Sequence, residues 1–226
     1  MMPSHAVTNP APAPSDVSGE PHERPVRDNL MPALRATLVT LVLTGIAYPF
    51  LVTGLAQVLF PARAAGSLVQ DESGRVVGSE LIAQPFTSAA YFQPRPSGAG
   101  EKGWDPTASG GTNLGPTSKK LRDSATAMVE KLTRENPDAG GPVPVELVTS
   151  SGSGLDPELS PQAALWQAAR VARARHVAPE RIRALVEELT DGRFLGFIGE
   201  PRVNVLQLDL ALDRRFGPPT GAGTAP

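Results

Sequence analysis

Apolar and polar positions are distributed in two regimes along the chain. Residues 36–60, bounded by Arg35 and Arg63, contain no Asp, Glu, Lys, Arg or His. At about 1.5 Å of rise per residue, a helix of this length crosses about 30 Å of hydrocarbon. Backbone groups in lipid must pair internally, so the run is expected to be helical, with Pro61 as its stop. It exceeds the roughly 7–15 residues of a signal-peptide core, so retention is expected rather than cleavage at Ala62-Arg63-Ala64. Within it Thr37, Thr40, Thr44 and Tyr48 recur at helical spacing. They predict a polar stripe for docking against other membrane helices, or threonines that bond their own helix. Arg24, Arg27 and Arg35 precede the run, and Arg63 and Arg75 follow it. That small excess of positive charge places the N-terminus in the cytoplasm and the following domain outside it.

Beyond residue 60 the periods are those of a water-soluble domain. Residues 67–70 and 75–77 bracket Asp71-Glu72-Ser73-Gly74, a short hairpin signal. Residues 86–116 are rich in proline and glycine and show no period. A stretch this long is either functional or unstructured, and Phe86, Tyr91, Phe92 and Trp104 predict that it is partly packed. Thr117 is the expected N-cap of a helix carrying Leu121, Ala125, Met128 and Leu132 on one face. Residues 143–148 read as a short buried strand running into a Ser/Gly loop. Ser160-Pro161 opens a second helix and Pro179 a third. Residues 203–210 alternate, with Leu206, Leu208 and Leu210 on one face, as a half-buried strand would. The expected architecture is α+β: a Pro-rich, disordered head over 1–29, a transmembrane helix over 30–60, one soluble domain over 61–216 and a disordered tail over 217–226.

Composition narrows the chemistry. There are 21 basic and 23 acidic residues, a net charge of −2, which offers no field for nucleic acid. Cysteine is absent, excluding disulfides, thiol catalysis and cysteine-ligated metals. His5 and His22 lie in the head, leaving His176 as the domain's sole imidazole and no multi-histidine metal site. A hydrolase would have to pair His176 with Ser109 or Ser153, yet His176 sits at an apparent helix end among Arg173, Arg175 and Arg181. The arginines at 170, 173, 175, 181 and 183 read as local pairing rather than an anion site. Ser109-Gly110-Gly111-Thr112-Asn113-Leu114-Gly115 could present amides to a phosphate but lacks the lysine of a P-loop, so a tight turn is the expected role. No catalytic residue, metal ligand or cofactor is assigned. The residues alone describe a membrane-anchored domain without a recognisable active site. A binding module of the cell envelope is the alternative to a subunit of a larger membrane complex.

Several strings together resemble the C subunit of the bacterial Kdp-type potassium-transporting ATPase. They are Gly45 with Tyr48-Pro49 and Phe60-Pro61; Gly78-Ser79-Glu80-Leu81-Ile82-Ala83-Gln84; Tyr91-Phe92 with Arg95-Pro96-Ser97; Ser109-Gly110-Gly111-Thr112-Asn113-Leu114; Ser151-Gly152-Ser153-Gly154-Leu155-Asp156-Pro157; and Gly199-Glu200-Pro201-Arg202-Val203-Asn204-Val205. The resemblance covers residues 30–213. Ala83 replaces the family's usual glycine, and Asp209 stands where asparagine is common. It implies a non-catalytic subunit of an ATP-driven potassium importer in the plasma membrane. Its implied partners are a channel-like potassium-binding subunit, a P-type ATP-hydrolysing subunit and a small single-span subunit. It further implies a catalytic chaperone that raises the ATPase subunit's affinity for ATP, with Gln84, Ser109, Gly110, Gly111, Thr112 and Asn113 as candidate nucleotide contacts in a ternary complex. An extracytoplasmic domain meets almost no ATP, so on that topology the effect must travel through the assembly.

Overall fold

The computed structural model describes residues 26–71 and 73–219. The expected disorder of the head up to residue 25 and of the tail from residue 220 lies outside the described residues. The chain divides into two units, Met1–Ala56 and Gln57–Pro226.

The first unit is helical. Helix α1 spans Val26–Thr40, so residues 26–29 are part of the rod rather than of an extended head. A π-helical stretch, Leu41–Ala47, leads into α2, Tyr48–Leu59. Arg27–Leu59 is long and apolar enough to cross a bilayer. The π turn has a local cause. Pro49 has no N–H, and its ring collides with the carbonyl four residues back, at Gly45. The turn widens instead, and the Tyr48 N–H donates to Leu43 O, five residues back. Widening also rotates the phase of the polar positions, so Thr37, Thr40, Thr44 and Tyr48 do not keep α-helical register. The Thr44 hydroxyl donates to Thr40 O at 2.7 Å.

The second unit mixes helix and strand. A four-residue helix α3, Pro61–Ala64, is followed by hairpin strands β1, Leu68–Gln70, and β2, Val76–Ser79. Asp71 Oδ1 closes the turn by accepting from the amides of Ser73 and Arg75. Residues 81–117 contain no helix or strand. Helix α4, Lys119–Glu135, is capped by Ser118 rather than Thr117: the Ser118 hydroxyl accepts from Leu121 N. Strand β3 is Glu158–Leu159, and helices α5, Pro161–Arg175, and α6, Pro179–Glu188, follow at their predicted starts. Strand β4, Val203–Asn204, pairs antiparallel with β3, and α7, Val205–Phe216, closes the unit.

One expected strand is absent and another is cut to two residues. Residues 145–147 form a 3-10 turn with Val145 72% exposed and Leu147 buried. Prolines at 142 and 144 remove the donors that a ladder needs, and Glu146 instead accepts from the amide and hydroxyl of Ser160. After Asn204 the chain turns helical, because the Asn204 side chain caps Gln207 N. The buried set Val205, Leu206, Leu208, Asp209 and Leu212 has helical spacing, hidden in the sequence by an inward-facing aspartate.

The core gathers α5, α6 and α7 around Phe92, with Ala163, Ala164, Ala168 and Ala172 keeping the α5 surface shallow. Side chains of α5 and α7 also tie down the aperiodic segment. Arg170, 3% exposed, donates to Ala89 O at 2.7 Å, Tyr91 O at 3.0 Å, Gln167 Oε1 at 2.7 Å and Asn136 Oδ1 at 3.0 Å. Gln167 exchanges two hydrogen bonds with the Gln93 backbone. Arg175 donates to Ala90 O at 2.7 Å, pairs with Asp213 at 2.8 Å and lies 4.8 Å from the Tyr91 ring centroid. Asp209 Oδ1 accepts from Phe92 N at 2.8 Å.

Burial lowers the Arg170 guanidinium to about 10, against the opposing charge of Asp209, so it stays charged at neutral pH. Burial likewise raises the Tyr91 phenol to about 12, helped by its hydrogen bond to Asp213. Asp209 is pushed well above the carboxylate range, chiefly by desolvation, against the Phe92 amide, Arg175 and Arg170. Its Oδ2 has no partner among the described residues.

Replacing Arg170 by Met takes a charged donor away from four acceptors. We expect Arg170→Met to lose about 3–5 kcal/mol in chemical denaturation, and Arg183→Met, at an exposed position, to leave the midpoint unchanged.

Candidate functional site

Three loops converge backbone against backbone. Ser97 is the hub: its hydroxyl donates to Gly154 O at 2.6 Å and accepts from Ala99 N at 3.1 Å and Trp104 N at 2.7 Å. That uses its single donor and both lone pairs. Gly110 N donates to Ser153 O at 2.8 Å, and the Ser109 hydroxyl reaches the same oxygen at 3.1 Å. Ser151 Oγ accepts from Gly154 N at 2.9 Å, Ser153 Oγ from Leu155 N at 3.1 Å, and Arg95 pairs with Asp156 at 3.0 Å.

Contact this close is possible only without side chains. A Cβ on Gly154, where φ is +68°, would lie 2.6 Å from both Ala99 N and Gly110 O. One on Gly111 would lie 3.1 Å from Gly152 O. Trp104 adopts φ +54°, a strained conformation for a bulky residue. Its ring lines a cavity of about 280 Å³ with Phe86, Met128 and Leu132.

The structure therefore joins three of the sequence strings, at 95–97, 109–113 and 151–156. Ser109, Gly110 and Gly111 take part in this packing, Ser109 through its hydroxyl while still exposed, and Thr112 and Asn113 lie at the surface, Asn113 with φ +51°. Gln84 is placed differently. Its Nε2 donates to Val77 O at 2.9 Å, and a Cβ on Gly78 would fall 1.8 Å from its Oε1. Gln84 lines a cavity of about 20 Å³ with Asp209, Tyr91 and Asp213. Its one tie to the loop cluster is through its neighbour, Ala83 N donating to Leu155 O at 3.0 Å. His176 ends α5 in the left-handed conformation, φ +55°, a structural cap. The membrane-helix positions Thr37, Thr40 and Tyr48 are exposed in this chain, as is Thr44.

One surface feature is not flagged by periodicity. Residues 191–202 form a tongue, bridged at Asp191 with Arg202 and at Phe194 with Ile198, that carries Phe194, Leu195, Phe197 and Ile198 exposed. The signal was present as an apolar quartet interrupted by glycine and flanked by Arg193 and Glu200.

The family described as K+-transporting ATPase, c chain (KdpC) matches residues 30–214. Among curated relatives, the potassium-transporting ATPase KdpC subunit of Myxococcus xanthus is 66% identical over 186 residues, covering 82% of this chain and 88% of its own length. That of Rhodospirillum rubrum is 56% identical over 187 residues, covering 83% and 96%. That of Methylobacterium nodulans is 53% identical over 202 residues, covering 84% and 98%.

Gly154→Ala is expected to disrupt the three-loop cluster without altering the helices. The readout is accelerated amide exchange at Gly110 and Leu155 with unchanged far-ultraviolet circular dichroism.

Proposed function

Because the chain belongs to the KdpC family, the c chain of K+-transporting ATPases, we propose that it is the non-catalytic subunit of an ATP-driven potassium importer. The observation that carries this reading is the family match across residues 30–214, which takes in both the apolar helix and the folded domain. The helix spans the plasma membrane with its N-terminus in the cytoplasm, and the domain lies outside. The partners are a channel-like potassium-binding subunit, a P-type ATP-hydrolysing subunit and a small single-span subunit.

The chain stabilises this assembly and raises the affinity of the ATP-hydrolysing subunit for ATP. A bilayer lies between the domain and cytoplasmic ATP, so the effect is a coupling free energy: partner contacts differ between the two states of the complex. Thr37, Thr40 and Tyr48 offer the helix polar points of docking, while Thr44 is satisfied within its own helix. In this reading Thr112 and Asn113 face a neighbouring subunit, and Ser109, Gly110 and Gly111 hold their loop in shape. Direct nucleotide contact by these residues or by Gln84 is not required.

Purifying the complex with and without this chain tests the proposal. We expect its omission to dissociate the complex or to raise the KM for ATP, by about 5- to 150-fold for a typical coupling energy. An intact complex with unchanged KM would refute the role.

A further inference from the structure

The tongue has no role in the fold. All of residues 191–200 are exposed. A Cβ added at Gly192, Gly196 or Gly199 would meet nothing within 4 Å, so the tongue stands clear of the domain. At its end Phe194, Leu195 and Phe197 are 68%, 70% and 71% exposed. Contiguous apolar surface of this kind marks a site covered in the functional state.

Its construction indicates what covers it. Phe194 N and Ile198 N each donate to the other residue's carbonyl at 2.9 Å, and Gly196 N donates to Arg193 O at 3.0 Å. Phe197 N also bonds inward, to Phe194 O at 3.3 Å. Most of the tip's amides are thus satisfied before it touches anything, which is what entry into hydrocarbon demands. Charges are confined to the base and paired there: Arg193 with Glu200 at 2.7 Å, and Arg202 with Glu158 at 2.9 Å. No charged side chain lies between Phe194 and Gly199. The root of the tongue lies near Arg63, shortly after the end of the apolar run. Asp191 and Arg202 share a polar cavity of about 580 Å³ with Arg63 and Ser67. Arg63 follows Phe60 by three residues, which limits their separation to about 11 Å.

We propose that Phe194, Leu195, Phe197 and Ile198 insert into the lipid interface next to the transmembrane helix, giving the domain a second membrane contact. The proposal rests on residues 30–60 spanning the bilayer. Aromatic and aliphatic tips above a charged collar suit the boundary between headgroups and acyl chains. The paired collar carries no excess positive charge, so hydrophobic transfer rather than attraction to anionic lipid drives insertion.

The absence of cysteine makes a single spin label unambiguous. Full-length Leu195→Cys, Val52→Cys and Lys102→Cys chains are labelled with a nitroxide. They are placed, in the assembly in which they purify, in vesicles of phosphatidylethanolamine and phosphatidylglycerol. Collision with oxygen is then compared with collision with a water-soluble nickel chelate. We expect the labels at 195 and 52 to favour oxygen severalfold over the label at 102. A label at 195 that matches position 102 while position 52 favours oxygen would overturn the tongue and leave the span intact. A label at 195 shielded from both reagents would assign the tip to a protein groove and also overturn the proposal. A water-exposed label at 52 would remove the span itself and the inference with it.

Discussion

A buried guanidinium does in this domain what a sheet does in others. Residues 81–117 run without helix or strand, yet Phe92 is fully buried in the core. Backbone groups taken out of water must find partners, and a segment without a ladder has to find them on side chains. Arg170, Gln167 and Arg175 from α5, with Asp209 from α7, supply donors and acceptors to the backbone of residues 89–93. Burying an arginine in this way is favourable only because each nitrogen meets an acceptor, and that requirement fixes the approach of segment 89–93 to both helices.

Local signals in the sequence carried through where they were chemical rather than periodic. Ser160-Pro161 and Pro179 marked helix starts because cap and proline geometry are encoded residue by residue. The hairpin at 68–79 was legible from its Asp-containing turn. Alternation at 203–210 misled, since an inward-facing Asp209 broke the helical pattern and Asn204 gave no strand-ending signal until its cap was seen. The short apolar run at 143–148 could not reveal its lack of a strand partner. In the site, the glycine-rich strings were visible, but their mutual contact depends on separations of about 40 residues or more that no local pattern encodes. The arginine cluster looked like surface pairing, and only the fold separates buried Arg170 and Arg175 from exposed Arg183.

In the proposed non-catalytic role, shape is the functional property. A site whose loops meet through glycine and serine backbone contacts has few rotamers to order on docking, so little association energy is lost to conformational entropy. The π turn beside Pro49 changes the rotation per residue between Thr40 and Tyr48, and so the directions in which the membrane-helix polar positions point. Both features suit the role proposed above, that of a subunit docked among neighbours.

Segment 89–93 is held as firmly as the helices that strap it. Native-state hydrogen exchange on the full chain tests this at two amides, Phe92 and Gln93, which donate to Asp209 and Gln167. Both are expected to exchange only through global unfolding, at the rate of interior amides of α5 such as Val171. Exchange of Phe92 and Gln93 through local opening, with α5 still protected, would contradict it.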